Sequence, residues 1–286
     1  MNCFQLVKTV LDELYNDIPG RTDKAKDALI NERLDYLSRR YSNLVGDTAP
    51  IDYGDPAVRF AYVYRYVTLH ANLVYGRIAE SEQLQSIFDA PRLTVSCIGG
   101  GPGSDLLGIL KYMELTSSAA WLKCYLFDRE ERWSQAWCDV DQKIGKSGIS
   151  TYFQRFDATD PTCVESTAKA LRQSNLFTFT YFVSEMYSLR ERAKPFFNEL
   201  MQAAGYGAYF LYLDNNDSRF SSWFEEQARL NCLKLIEQRS SGIGLSYDEQ
   251  KTDLGPYLAR FRTPRLQGNV AYRLYAKQEI DVDSLV

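Results

Sequence analysis

Residues 94–108 read TVSCIGGGPGSDLLG, an apolar run broken by Gly99, Gly100, Gly101 and Gly103 before helix-forming residues resume. Glycines let a backbone turn sharply and approach a ligand closely, and a helix opening just after such a turn aims its free N–H groups at that ligand. Three acids then close later apolar runs: Asp128 in YLFD, Asp157 in QRFD and Glu185 in YFVSE. Asp128 lies 25 residues beyond Gly103, close to the spacing at which an acid after a second strand accepts from ribose hydroxyls. The chemistry in view is the holding of an adenosine-containing ligand. The dinucleotide fingerprint G-x-G-x-x-G is not met, because Gly99 and Gly101 are followed by Ser104 where the third glycine belongs.

The stretch CIGGGPG, residues 97–103, resembles the first motif of class I S-adenosylmethionine-dependent methyltransferases, commonly acidic-x-G-x-G-x-G. Cys97 stands at the acidic position of that motif. The resemblance implies a Rossmann-like, doubly wound α/β fold with a mostly parallel seven-stranded sheet, an antiparallel last strand and an N-terminal helical extension. It implies S-adenosylmethionine as cofactor, held by Gly99, Gly100, Gly101, Gly103, Asp105, Asp128, Arg129, Asp157, Ala158 and Ser184. Within this scheme Asp128 holds the ribose and Asp157 accepts from the adenine amine, while Glu185 and Tyr187 take acceptor-facing, catalytic places; Glu185 is read alternatively as an acid at a helix start. The GGGPGSDLLG turn and the YFVSE string are also similar to a group that includes fungal methyltransferases of ribosomal RNA uridine. Asp105 is read first as an acid neutralising the N-terminus of the helix it opens, and second as a ligand contact.

These residues need elements to position them. Helical spacing of apolar residues runs through 4–14 and 28–41. Asp55 and Pro56 then supply a cap and a first-turn proline for a helix over 57–78 that is apolar or aromatic on nearly every side. From residue 93 strands and helices alternate: strands at 93–98, 121–128, 151–157, 177–185 and 208–214, with helices at about 131–144, 164–173, 190–204 and 220–230 between or after them. This rhythm predicts a parallel sheet covered on both faces. Two more strands, 233–238 and 269–278, follow without a strong helix between them, so the last is expected to enter antiparallel. Residues 1–90 are expected to form a helical lid and 91–286 the cofactor-binding domain. Arg59 and Arg65 lie in the aromatic helix, and Arg65 is expected either to face inward and bind the cofactor's carboxylate, at the end where Cys97 has replaced an acid, or to pair with a structural carboxylate or reach to solvent.

The chain has 286 residues with a net charge of −4, so its overall field does not favour nucleic acid or an anionic membrane. Six scattered cysteines and a single histidine offer no metal-ligand spacing, and buried reduced thiols are expected. With neither a leader pattern nor a spanning stretch, a cytoplasmic protein with no membrane partner and no metal is expected. His70, between Leu69 and Ala71, is read as a core histidine. The acceptor is expected to be a nitrogen or oxygen on a small molecule or protein. The alternatives are an RNA base, favoured by Arg39, Arg40, Arg59 and Arg65 among aromatics, and a non-catalytic module that binds an adenosyl ligand.

Overall fold

The computed structural model describes residues 2–46, 50–144, 148–160 and 162–279, with the backbone alone for 139–144. Two helices open the chain, α1 (Cys3–Asp17) and α2 (Asp23–Tyr41), each begun by a side-chain cap: Asn2 accepts from the Phe4 amide and Thr22 from that of Ala25. The Asp55 carboxylate accepts from Ala57 N to start α3 (Pro56–Tyr62). The helix expected over 57–78 is present but not uniform. Residues Val63–Val67 form a π-helical segment between α3 and α4 (Thr68–Glu80), which rotates the faces of the two halves relative to an ideal helix. A short α5 (Glu82–Ile87) leads into the sheet.

The seven strands are β1 (Arg92–Ile98), β2 (Trp121–Asp128), β3 (Ile149–Arg155), β4 (Leu176–Thr180), β5 (Tyr209–Asn215), β6 (Leu233–Gly244) and β7 (Gln267–Lys277). Their order across the sheet is β3-β2-β1-β4-β5-β7-β6, with β1 to β5 parallel and β7 antiparallel to both of its neighbours. This is a Rossmann-like, doubly wound sheet with the expected antiparallel last strand. The intervening helices are α6 (Ser104–Leu115), α7 (Trp133–Ile144), α8 (Thr162–Gln173), a short α9 (Phe182–Met186), α10 (Arg190–Ala203), α11 (Ser218–Leu230) and a short α12 (Pro256–Arg260).

Two expectations are corrected. The strand read over 177–185 stops at Thr180, because Tyr181 takes a left-handed conformation (φ 57°) and the Ser184 amide donates to the buried Asp214 carboxylate, turning 182–186 into α9. The β-favouring Tyr, Phe and Val residues there are overridden by tertiary contacts. The thiols are also not uniformly buried: Cys138 and Cys232 are exposed and Cys163 is half-buried.

Alternation along each strand divides the core. On β5, Leu211 and Leu213 pack with the N-terminal helices and α6, while Phe210 and Tyr212 pack with α8, α10 and α11. The N-terminal helices therefore supply one covering layer of the sheet. Within that layer α4 crosses α6 closely: a Cβ on Gly108 would lie 2.4 Å from the Ala71 carbonyl oxygen and 2.8 Å from Val74 Cβ. One turn further along α6 the fully buried Lys111 ammonium donates to Ser246, Asp248 and Glu249, at 2.7, 2.8 and 2.6 Å. Glu249 also accepts from the Cys3 amide, so one buried ion pair joins α6 to the start of α1. Among the described residues no helix is long and apolar enough to cross a membrane.

The crossing predicts opposite effects for one substitution at two helical glycines. Gly76→Ala, where an added Cβ meets nothing within 4 Å, should stabilise by about 0.5–1 kcal/mol through helix propensity. Gly108→Ala gains the same term but overpacks against backbone, and should be net destabilising by about 1–3 kcal/mol. Chemical denaturation of the two variants compares them.

Candidate cofactor and acceptor site

The strand order reverses between β1 and β4, and in open parallel sheets the crevice outside the carboxyl ends at that point is where ligands bind. The glycine turn follows β1 and α9 follows β4, so both flank this crevice. Gly99, Gly101 and Gly103 all have positive φ (67°, 44° and 85°). At Gly99 a side chain is excluded twice over, because its Cβ would lie 2.2 Å from the Phe182 ring. The turn is fastened by Gly103 N donating to Gly100 O and by Gly100 N donating to Phe127 O. The Gly101 amide donates to Asp128 Oδ2 at 2.9 Å, and the other Asp128 oxygen accepts from Glu130 N at 2.9 Å.

A pocket opens here, with about 1190 Å³ of empty space including its open mouth. Gly99, Gly101 and Pro102 form one wall. The ends of β2 and β3 add Phe127, Asp128, Arg129, Phe156, Asp157 and Ala158, and α9 contributes Glu185. The N-terminal part closes the opposite side with Arg40, Ile51, Asp52, Tyr53 and Tyr62. Tyr53, Tyr62 and Trp133 pack on one another with centroids 5.4–5.9 Å apart. Behind them Tyr181 stacks on His70 at 4.3 Å, and burial pushes the imidazole down to about 3, so it is neutral. This is the core histidine expected, and the stacking supports the strained Tyr181 backbone.

Of the residues singled out in the sequence, Gly99, Gly101, Asp128, Arg129, Asp157, Ala158 and Glu185 are brought together on this pocket. Others are not. Gly100 and Gly103 shape the turn from behind. Asp105 is buried beneath it with Thr178 Oγ1 donating to its Oδ2 at 2.5 Å, and burial raises the carboxyl to about 6. Ser184 is buried on Asp214, and Tyr187 packs against Phe220 and Trp223 with the Arg190 guanidinium over its ring. Arg65 sits in the π-helical segment, where its guanidinium donates to the Thr263 carbonyl and its own carbonyl accepts from Arg265 N, so it is directed away from the pocket. Arg59 donates to the carbonyls of Tyr53 and Gly54. Cys97 is fully buried with its Sγ 3.7 Å from that of Cys124.

The residues missed are Tyr41, Tyr53, Asp52, Glu130 and Trp133. Tyr41 donates to Glu185 Oε1 at 2.8 Å, and its oxygen lies 2.6 Å from Tyr53 Oη. These two phenols are 144 and 132 residues from Glu185, and no local spacing connects them to it. Burial raises the Glu185 carboxyl to about 7 against the opposing Tyr41 hydrogen bond, and raises Asp128 to about 6 against its two backbone amides. Among the described residues no group of three or more His, Cys, Asp or Glu side chains is placed to hold a metal ion.

No family model matches this chain, and no curated protein matches it. Solved structures do. A putative RNA methyltransferase from Pyrococcus horikoshii is 11% identical over 87% of this chain and 100% of that one, with a TM-score of 0.45. Magnesium protoporphyrin IX methyltransferase from Synechocystis PCC 6803 with bound SAH is 10% identical over 88% and 99%, with a TM-score of 0.44. An S-adenosylmethionine-dependent methyltransferase from Clostridium acetobutylicum is 7% identical over 73% and 91%, also at 0.44.

The raised Glu185 carboxyl has a consequence for stability. Its folded value of about 7 exceeds the roughly 4.3 of an unfolded glutamate, so the folded state binds the proton more tightly and loses stability as pH rises between the two. Glu185→Gln keeps an acceptor for Tyr41 but removes the charge. It should melt above the parent at pH 8, and the difference should vanish near pH 4, as thermal scans across that range would show.

Proposed function

We propose that the protein is an S-adenosylmethionine-dependent methyltransferase, in which residues 91–286 form the cofactor-binding unit and residues 1–90 form its lid. The observation that carries this reading is the hydrogen bond from Gly101 N to Asp128. A dinucleotide site uses the amides of its glycine turn for the pyrophosphate, but here the central amide is committed to a carboxylate. The pocket is lined by five carboxylates, Asp52, Asp128, Glu130, Asp157 and Glu185, against Arg40 and Arg129. That surplus repels a phosphate and favours a ligand that has none and carries a positive charge.

An adenosyl sulfonium fits these residues. Asp128 retains lone pairs for ribose hydroxyls after accepting its two amides, and Phe127, Phe156 and Ala158 offer an apolar slot for a purine with Asp157 at its edge. Asp157 Oδ1 is held by the Thr159 amide and hydroxyl, both at 2.8 Å, which fixes the carboxylate for a further contact. Bound there, the cofactor would supply an activated methyl group on a positively charged sulfur, for which the tyrosine faces and carboxylates are suitable neighbours. The chain's own part is to hold the ligand, align the acceptor and exclude water. The acceptor is read as a nitrogen or oxygen of a small molecule or protein, reaching the site past Glu185. Arg40 and Arg129 are the lining cations that an RNA acceptor would use, and RNA retention falling steeply with salt would assign that alternative.

Calorimetry tests the assignment. The demethylated cofactor product should bind saturably and NAD should not; the reverse result removes the reading. Asp128→Ala should weaken product binding by about 1.5–3 kcal/mol, the range for a lost hydrogen bond to a charged group, with a melt showing a folded protein. Arg65→Met should leave that affinity unchanged.

A further inference from the structure

Glu185 stands at the end of a directed chain of hydrogen bonds that originates in the N-terminal part of the molecule. Tyr41, the last residue of α2, donates to Oε1, and its oxygen, 2.6 Å from Tyr53 Oη, is then left to accept from the Tyr53 hydroxyl. Both rings are fixed: Tyr41 lies edge-on to Tyr66 at 5.1 Å, and Tyr53 is held between Tyr62 and Trp133. Burial and the nearby Glu185 charge push both phenols well above their ordinary range, so they serve as donors and not as bases. Among the described residues Glu185 Oε2 receives no hydrogen bond, and the side chain lines the pocket. A carboxylate gripped at one oxygen and left open at the other, in an aromatic pocket, is arranged to accept a proton.

We infer that Tyr53 and Tyr41 position Glu185 so that its Oε2 takes the proton of the methyl acceptor, and that the acceptor is therefore an N–H or O–H group and not a thioether or tertiary amine. The inference rests on the methyltransferase reading. As the acceptor lone pair forms its bond to the methyl carbon, the carbon–sulfur bond breaks with its electrons on sulfur. The acceptor N–H or O–H bond breaks with its electrons on the acceptor, and the proton passes to Glu185. The sulfonium and carboxylate charges disappear together, which suits a site poor in water. Glu185 is the catalytic residue; Tyr41 and Tyr53 are positioning residues. The charged and titratable groups around Glu185 are Tyr41 from α2, Tyr53 and Tyr62 from the segment reaching into α3, Asp128 at the end of β2 with Arg129 just after it, and Asp214 from β5. Asp128 and Asp214 hold its proton affinity up, while Arg129 and Tyr41 lower it.

Infrared titration of the carboxyl C=O band, with calorimetry of the demethylated cofactor product on the same proteins, tests this. The full chain should show a protonated carboxyl titrating near pH 7 that is missing in Glu185→Gln. Tyr41→Phe removes a hydrogen bond to the charged form, so its midpoint should rise by about one pH unit with product affinity within about threefold. Tyr53→Phe should shift the midpoint the same way by less, and it carries the test should Tyr41→Phe not fold. Tyrosines that only pack beside Glu185, without donating toward it, would leave the midpoint where it was. Product binding with no band lost in Glu185→Gln, or with a midpoint unmoved in both tyrosine variants, overturns the inference and leaves the cofactor reading standing. Absence of product binding by the parent protein overturns the cofactor reading, and the inference with it.

Discussion

The bond between the Gly101 amide and the Asp128 carboxylate is the constraint on which the rest of the site depends. It links the turn after β1 to the end of β2, so the two strand ends that flank the pocket are held together. Because the same carboxylate also takes the Glu130 amide, the chain leaving β2 is directed back over the pocket. Positive φ at three glycines makes this path possible, and Phe182 pressed against Gly99 fixes the turn from the β4 side. The turn is thus built from three strand ends, with its pocket-facing surface only partly made of its own residues.

The second constraint is the way the N-terminal helices are attached. They are packed into one face of the sheet, backbone against backbone where α4 meets Gly108, and joined by the buried Lys111–Glu249 pair. Removing one member of such a pair leaves an uncompensated buried charge, so its presence ties the placement of α1 to that of α6. From that anchored base the end of α2 and the segment before α3 reach the pocket, bringing Arg40, Asp52 and Tyr53 into its lining and Tyr41 onto Glu185. Closure of the site is in this sense a by-product of core packing.

Electrostatics gives the pocket its character. Asp105, Asp128, Glu185 and Asp214 all sit where burial opposes ionisation; hydrogen bonds from amides or hydroxyls offset this in each, and the Arg129 charge adds to them at Asp128 and Glu185. Of these, Asp128 and Glu185 face the pocket, while Asp105 and Asp214 support the elements behind it. The division explains why acids close together in the sequence pattern do different things. Asp105 and Asp214 fasten β4 and α9, and Asp128 and Glu185 remain open to a ligand.

The sequence by itself determined the strand and helix alternation, the doubly wound sheet with its antiparallel last strand, and the cluster of Gly99, Gly101, Asp128, Asp157 and Glu185 at one sheet edge. These follow from short-range pattern: period-two apolar runs, glycine turns and acids at strand ends are readable within about thirty residues. Tertiary structure decided the rest. The strand through YFVSE became a turn and a helix because Tyr181 stacks on His70 and the Ser184 amide finds Asp214, partners that lie far off in the chain. Arg65 was turned outward by a π-helical segment and by the 263–265 backbone, whose carbonyl and amide its own groups complete. The Tyr53–Tyr41–Glu185 chain had no sequence signal, since its members are joined only by how one covering layer packs across the sheet edge. Local pattern specifies elements and strand ends; which distant side chains share a proton is set by packing alone.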